Sequence, residues 1–269
     1  MRRVYFGHDE LDIFTSLGID EVLKERAKDS IFFRTYQINP AAVTIAEDED
    51  ISDINLEACM KENLNYTRRP SKGSAIYLDE SVLCYTIIFP NYFVPSLETH
   101  EYFGTRIASA LKEISGNDIW LGEKFSIAIS PSIYGVISGN SWENLSRKGY
   151  GFYHGLITIK KHNVESIKRY IKLRVGEEEI LKSLPYLNLA NYSLENVSVK
   201  LAEKILGRDY EVINNEEKLE IVQRGKDLGK RFADEDWIKG RSLKIRSSGL
   251  GYCLIALSEE WKEENFKKI

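Results

Sequence analysis

The 269-residue chain is 43% hydrophobic, 11% aromatic and 29% charged, a balance that excludes a disordered tail, a collagen-like repeat and a disulfide miniprotein. Lys and Arg total 37 against 41 Asp and Glu, a net charge of −4, so the cationic surplus needed for sequence-independent nucleic-acid binding is missing. One large core, or a core with a smaller appendage, suits this length.

The N-terminus, Met1-Arg2-Arg3-Val4-Tyr5, turns polar at once, and no window approaches about 18 consecutive apolar residues, so neither a secretory leader nor a membrane span is expected. Over 11–28, Leu11, Phe14, Leu17, Ile19, Val22 and Leu23 recur mostly at three-to-four-residue intervals among charges, which predicts an amphipathic helix packed on a sheet. Ile31 to Tyr36 and Ala42 to Ala46 read as strands separated by Asn39-Pro40, and the acidic run Glu47 to Asp50 reads as a solvated loop. A short helix over Ile54 to Asn63 precedes a basic turn of small residues, 68–79, which feeds the apolar strand Ser81 to Pro90. The segment 98–115 carries Phe103, Ile107, Leu111 and Ile114 at helical spacing and stops at Ser115-Gly116.

Asp118 to Leu121 and Phe125 to Ile129 read as strands, Pro131-Ser132 as a turn with Ile133 to Ser138 running back, and Phe152 to Ile159 as a strand containing Tyr153-His154-Gly155. From about 164 to 230 helices dominate, and the last forty residues leave room for a strand or two. A mixed α+β core with a helical C-terminal appendage follows. Cys59, Cys84 and Cys253 are odd in number and share no C-x-x-C spacing, and His8, His100, His154 and His162 form no H-E-x-x-H pair. A reducing cytosol, no disulfide framework and no structural metal are therefore expected.

The turn 68–79 is the most informative stretch. Two adjacent arginines followed by Ser, Gly, Ser and Ala place fixed positive charge beside backbone whose N–H groups small side chains leave uncovered, a combination that suits a phosphate. A tight basic surface turn is the alternative that composition alone leaves open.

Arg68 to Asp79, R-R-P-S-K-G-S-A-I-Y-L-D, resembles the R-R-x-S-G-G-G-A-V-(Y/F)-H-D loop of lipoate–protein ligases, a family within the biotin and lipoate ligase superfamily. Leu17 to Leu23, L-G-I-D-E-V-L, is similar to that family's first helix, and Phe33-Arg34-Thr35-Tyr36 with Pro40 to Ile45 resembles its next two strands. Asn117-Asp118-Ile119 through Lys124 resembles the N-D-(I/L) strand leading to the superfamily's reactive lysine. Tyr153-His154-Gly155-Leu156-Ile157 is similar to H-H-G-T-L-L, and Arg231 to Trp237 to K-Y-x-S-D-E-W.

The resemblance implies a mixed, mostly antiparallel sheet flanked by helices, with the first part of a catalytic core over 1–163 and its remainder plus a smaller helical region over 164–269. It implies a cytoplasmic enzyme that uses ATP and Mg2+ to activate lipoate or octanoate as an acyl-adenylate. The acyl group then passes to a lysine of a lipoyl carrier domain, of the 2-oxoacid dehydrogenase acyltransferase or glycine cleavage H protein type. Arg68, Arg69, Ser71, Gly73, Ser74, Ala75 and Tyr77 would line the acyl-adenylate site together with Gly139, His154 and Gly155. Lys124 would contact the carboxylate and α-phosphate, and Asn117 and Asp118 would hold nucleotide, with Asp118 a Mg2+ contact.

The sequence departs from the family pattern at Lys72, Ser74 and Leu78, which replace the first glycine, the third glycine and the histidine of the loop, and at Ala46-Glu47-Asp48, where an arginine is usual. Two alignments place the reactive lysine. One keeps it as Lys124; the other matches Val136-Ile137-Ser138-Gly139 to K-(I/V)-(S/A)-G and turns the lysine into valine. The alternatives to a ligase are a non-catalytic relative that binds acyl-adenylate or carrier, and an ATP-independent octanoyl or lipoyl transferase using Cys84. A biotin ligase is disfavoured, since its G-R-G-R-x-G-R-x-W loop is absent.

Overall fold

The chain opens with a strand that its polar N-terminal pattern does not announce. Arg2–Leu11 (β1) exposes its first two arginines but buries Val4, Tyr5 and Phe6, because it is paired on both sides within a sheet. Asp12 follows and accepts a hydrogen bond from the Thr15 N–H at 2.9 Å, capping Ile13–Arg26 (α1). This helix is the crossover that lets Ser30–Ile38 (β2) return parallel to β1. The computed structural model describes residues 1–122, 126–130, 136–145, 149–173, 176–189, 192–239 and 266–269.

Ala42–Ile45 (β3), Asn65–Arg68 (β4) and Ile76–Leu78 (β5) form a small sheet of order β4-β3-β5, with Leu56–Lys61 (α2) between β3 and β4. Val82–Pro90 (β6) is buried along its whole length. Thr99–Ser115 (α3) ends at Gly116, whose φ of 71° and N–H to the Lys112 carbonyl make the expected glycine stop. Trp120–Gly122 (β7), Ser126–Ala128 (β8), Val136–Leu145 (β9) and Tyr150–Thr158 (β10) run as antiparallel neighbours. Val164–Tyr170 (α4) and Glu177–Ser183 (α5) cover the small sheet. Leu194–Leu206 (α6), Glu211–Val212 (β11), Asn215–Gly229 (α7), Glu235–Lys239 (α8) and Phe266–Lys268 (β12) complete the described elements. The large sheet has the order β11-β1-β2-β6-β10-β9-β8-β7-β12, mostly antiparallel and flanked by helices, as expected.

Alternation along the strands decides which helix covers which face. Ile31, Phe33, Leu83, Tyr85, Ile87, Phe89, Tyr153 and Ile157 point one way and pack with Phe103, Ile107 and Leu111 of α3 and Leu201 of α6. Phe32, Ile88 and Phe152 point the other way, onto Ile19, Val22 and Leu23 of α1 and Ile221 of α7. No helix among the described residues is long and apolar enough to cross a membrane.

Three glycines set the distance between α1 and α7. A Cβ on Gly18 would sit 1.9 Å from the Gly225 carbonyl oxygen, one on Gly225 2.6 Å from Ile19 Cγ1, and one on Gly229 2.6 Å from the Phe14 carbonyl oxygen. The backbones touch there, so a methyl group has no space. Gly18→Ala is expected to destabilise the chain by about 1–3 kcal/mol or more through overpacking, visible as a lower urea midpoint with an unchanged slope.

Candidate functional site

The double-arginine loop folds around its own side chains. Arg69 is buried, and its guanidinium donates to Thr44 Oγ1 at 3.2 Å, the Thr44 carbonyl at 3.4 Å, the Lys72 carbonyl at 3.3 Å and the Ser74 carbonyl at 2.8 Å. Burial pulls its pKa down to about 10, against the pull of Glu49 and Asp48. Gly73, at φ 120°, brings backbone so close that a Cβ would lie 2.8 Å from Arg69 Nη2, which gives the loop glycine a local reason.

Arg68 turns to the opposite side. Its Nη1 donates to the carbonyls of Ala46 at 2.7 Å, Glu47 at 3.2 Å and Glu49 at 2.7 Å, and its Nε to that of Ile238 at 3.1 Å. Trp237 Nε1 returns a bond to the Arg68 carbonyl at 2.8 Å. Arg68 therefore clamps the acidic turn and α8 together. The expectation that both arginines line one site is corrected: a buried guanidinium must find acceptors, and for Arg68 the nearest set is the 46–49 turn.

Beneath the loop lies a cavity floored by the α1 side of the large sheet. Ile13, Leu17, Tyr36, Leu78, Cys84 and Leu156 make its apolar walls, Lys24 and Phe152 border it, and Ser71, Lys72, Gly73, Gly139, Asn140, Ser141, His154 and Gly155 converge on it. Ser71 Oγ, Asn140 Nδ2 and His154 Nε2 are buried without a hydrogen-bond partner. Three orphaned polar atoms around one apolar-walled cavity are what a polar ligand would satisfy. Asn140 is oriented by its oxygen, which accepts from the Tyr85 hydroxyl and from Ser138 Oγ, the latter at 3.1 Å. Gly155 opposite must be bare, since a Cβ there would fall 2.4 Å from Asn140 Oδ1.

Charged groups that the sequence reading did not single out underlie the cavity. Arg34 donates to Asp20 Oδ1 at 3.1 Å and to the Ser16 carbonyl at 3.1 Å, tying α1 to β2 inside the core. Burial raises the Asp20 pKa, opposed by Arg34 and Lys24. Asp20 and Lys24 continue the face that begins at Leu17, at i+3 and i+7, and charges on an apolar stripe were the legible signal.

Of the residues named from sequence, Arg69, Ser71, Gly73, Gly139, His154 and Gly155 meet at the cavity. Ser74 contributes its carbonyl to Arg69, Ala75 joins the core of the small sheet, and Tyr77 stacks on Tyr170 with ring centres 5.7 Å apart; these three lie outside the cavity lining. Asn117 and Asp118 are exposed just past the Gly116 stop, and Asp118 pairs with Lys268 at 2.5 Å. Neither reaches the cavity, because the end of α3 places them at the surface. Among the described residues no three His, Cys, Asp or Glu side chains group as a metal site.

Lys124 lies outside the described residues; two positions on, Ser126 pairs with the cavity-lining Gly139. Val136 opens β9, three positions before Gly139. Cys84 borders the cavity, but burial pushes its thiol up to about 12, leaving it without thiolate character near neutrality.

Burial, then Arg69 and Lys24, push His154 down to about 3. The unfolded chain, with an ordinary imidazole near 6.5, therefore binds one more proton than the folded chain between those values, and stability falls as pH drops through that window. Acidification from pH 7 to pH 5 is expected to lower the urea midpoint, with this residue contributing at most about 1.4 kcal/mol per pH unit. His154→Gln should flatten the dependence, and an unchanged slope would refute a neutral buried imidazole.

Residues 12–205 match the family model described as the lipoyl protein ligase A/B catalytic domain. No curated protein sequence matches the chain. Solved structures of similar fold include the bipartite lipoate–protein ligase of Thermoplasma acidophilum, studied with its E2 lipoyl domain, at 18% identity and a TM-score of 0.70 over 92% of this chain and 98% of that one. A lipoate–protein ligase A bound with ATP shows 18% identity and a TM-score of 0.69 over 89% and 99%. LipL1 of P. falciparum in complex with lipoate shows 16% and 0.68 over 91% and 75%. At these identities the structural likeness speaks for the fold, whereas the family model covers well over half of the sequence: the chain belongs to the lipoyl protein ligase A/B catalytic-domain family.

Proposed function

We propose that the chain activates a lipoate- or octanoate-class acid with ATP and transfers the acyl group to a lysine of a lipoyl carrier domain of the 2-oxoacid dehydrogenase or glycine cleavage type. The observation that carries this reading is the apolar-walled cavity ringed by the unpartnered Ser71 Oγ, Asn140 Nδ2 and His154 Nε2. Structural relatives bound with ATP and with lipoate support the choice of substrates, and the relative studied with its E2 lipoyl domain supports the choice of carrier.

In this scheme a carboxylate oxygen of the acid attacks the α-phosphorus of ATP and pyrophosphate leaves. The carrier lysine amine then attacks the acyl carbon, AMP leaves and the amine loses a proton. Negative charge builds on phosphoryl oxygen in the first step and on acyl oxygen in the second, so donors already fixed in place favour the transition states. Ser71 and Asn140 supply such donors, while Arg69 acts indirectly by holding the loop. Lys124 is the amine proposed for the carboxylate and α-phosphate. Mg2+ accompanies the nucleotide as its counter-ion.

A second reading, a non-catalytic binder of acyl-adenylate or carrier, is favoured by two features: both arginine heads are engaged by backbone carbonyls, and Val136 opens the strand Val136-Ile137-Ser138-Gly139. Purified chain supplied with ATP, Mg2+, lipoate and a lipoyl domain separates the two. Lipoate-dependent pyrophosphate release and a mass gain on the carrier are expected. Binding of preformed lipoyl-adenylate without either product would establish the second reading instead.

Asn140→Ala should lower the activation rate by about a hundredfold, the usual loss for one transition-state donor. Cys84→Ala should leave carrier acylation intact; its abolition would point to a thioester-forming transferase.

A further inference from the structure

One buried charge at the cavity has no part in acyl activation. Lys24 reaches in from α1 with its side chain only 4% exposed. Its ammonium donates to Glu21 Oε1 at 2.9 Å and lies 4.0 Å from the centre of the Phe152 ring. Glu21 is also bound by Arg231 at 2.7 Å, so one carboxylate serves two cations. An ammonium has three donors, and a single hydrogen bond leaves room for an acceptor on a bound molecule. An apolar side chain of similar length would line the same wall without desolvating a charge.

The strand register says which part of a ligand that acceptor belongs to. Ser126, Gly139 and Leu156 pair in one row across β8, β9 and β10, and this row, next to the proposed donor Asn140, is where the proposed reaction puts the carboxyl group. Phe152 stands four residues away along β10, about 13 Å at strand spacing. An extended medium-chain acid that begins at the row ends near Phe152. The Lys24 ammonium, lying over that ring, thus meets the tail of the chain and not its reacting head.

We infer that Lys24 is a specificity-determining residue, selecting medium-chain acids whose far end carries a hydrogen-bond acceptor, such as a cyclic disulfide or a hydroxyl, over acids that end in methyl. The assignment rests on the acyl-activation reading for the direction in which the acid lies. A methyl group against the ammonium shuts out water and offers nothing to its free donor, a mismatch worth roughly tenfold or more in affinity.

Calorimetric titration of the full chain with octanoate, 8-hydroxyoctanoate and lipoate tests it. The wild type should bind 8-hydroxyoctanoate at least about tenfold tighter than octanoate, with lipoate also ahead of octanoate. Lys24→Met should abolish or reverse that order by gaining affinity for octanoate, and Lys24→Arg, which keeps a cation, should retain it. The wild-type comparison needs no variant and decides the matter if Lys24→Met fails to fold. Equal affinities for the acids, or an order unchanged in a folded Lys24→Met, would overturn the assignment alone. Failure of every acid to bind would overturn it together with the acyl-activation reading.

Discussion

A guanidinium withdrawn from water must be given oxygen atoms, and in this chain the backbone gives them. Arg68 and Arg69 between them engage carbonyls from residues 44, 46, 47, 49, 72, 74 and 238. The loop is curled tightly because its arginines are buried, and the cavity beneath exists because the loop is curled. Charged donors to neutral carbonyls are stronger than neutral pairs, so the roof of the cavity is stiff even though it is a loop. In the structure the pair holds the roof of the cavity in place through backbone carbonyls.

The opposite wall is fixed by a different means. α1 lies between the large sheet and α7, with the Gly18, Gly225 and Gly229 backbones in contact on one side and the Arg34–Asp20 pair on the other. Such a pair contributes little net stability once desolvation is counted, but it is costly to break singly. Its effect is to fix the rotation of α1, and with it the line of Leu17, Asp20 and Lys24 along the cavity. The polar loop and the packed helix thus define one space from two directions.

Much of the fold was legible because periodicity and stop signals agree with burial. Helix 98–115 and its Gly116 stop, the strand from 81 to 90 and the strand around His154 all fall where the pattern puts them. β1 was not legible, since charged ends mask a buried centre that only pairing on both sides explains. At the site, the glycines and His154 could be placed from motif order, whereas the destinations of Arg68, Asn117 and Asp118 could not. Where a side chain turns depends on acceptors contributed by distant segments, such as the Ile238 carbonyl, and on the helix end that leaves Asp118 at the surface. No local pattern encodes a distant acceptor, and the legible Gly116 stop does not by itself say where the residues after it emerge.

The clamp on Arg68 also orders events in time. The bond from Arg68 to Ile238 closes a sequence separation of 170 residues, and Thr67 Oγ1 reaches the Phe232 carbonyl across 165. Secondary structure in the first half can form as the chain emerges from the ribosome, but the acceptors that complete the roof arrive only with its last quarter. A nascent chain halted before α8 therefore holds Arg68 one acceptor short, and the roof of the cavity is finished late in synthesis, by a segment that does not line it.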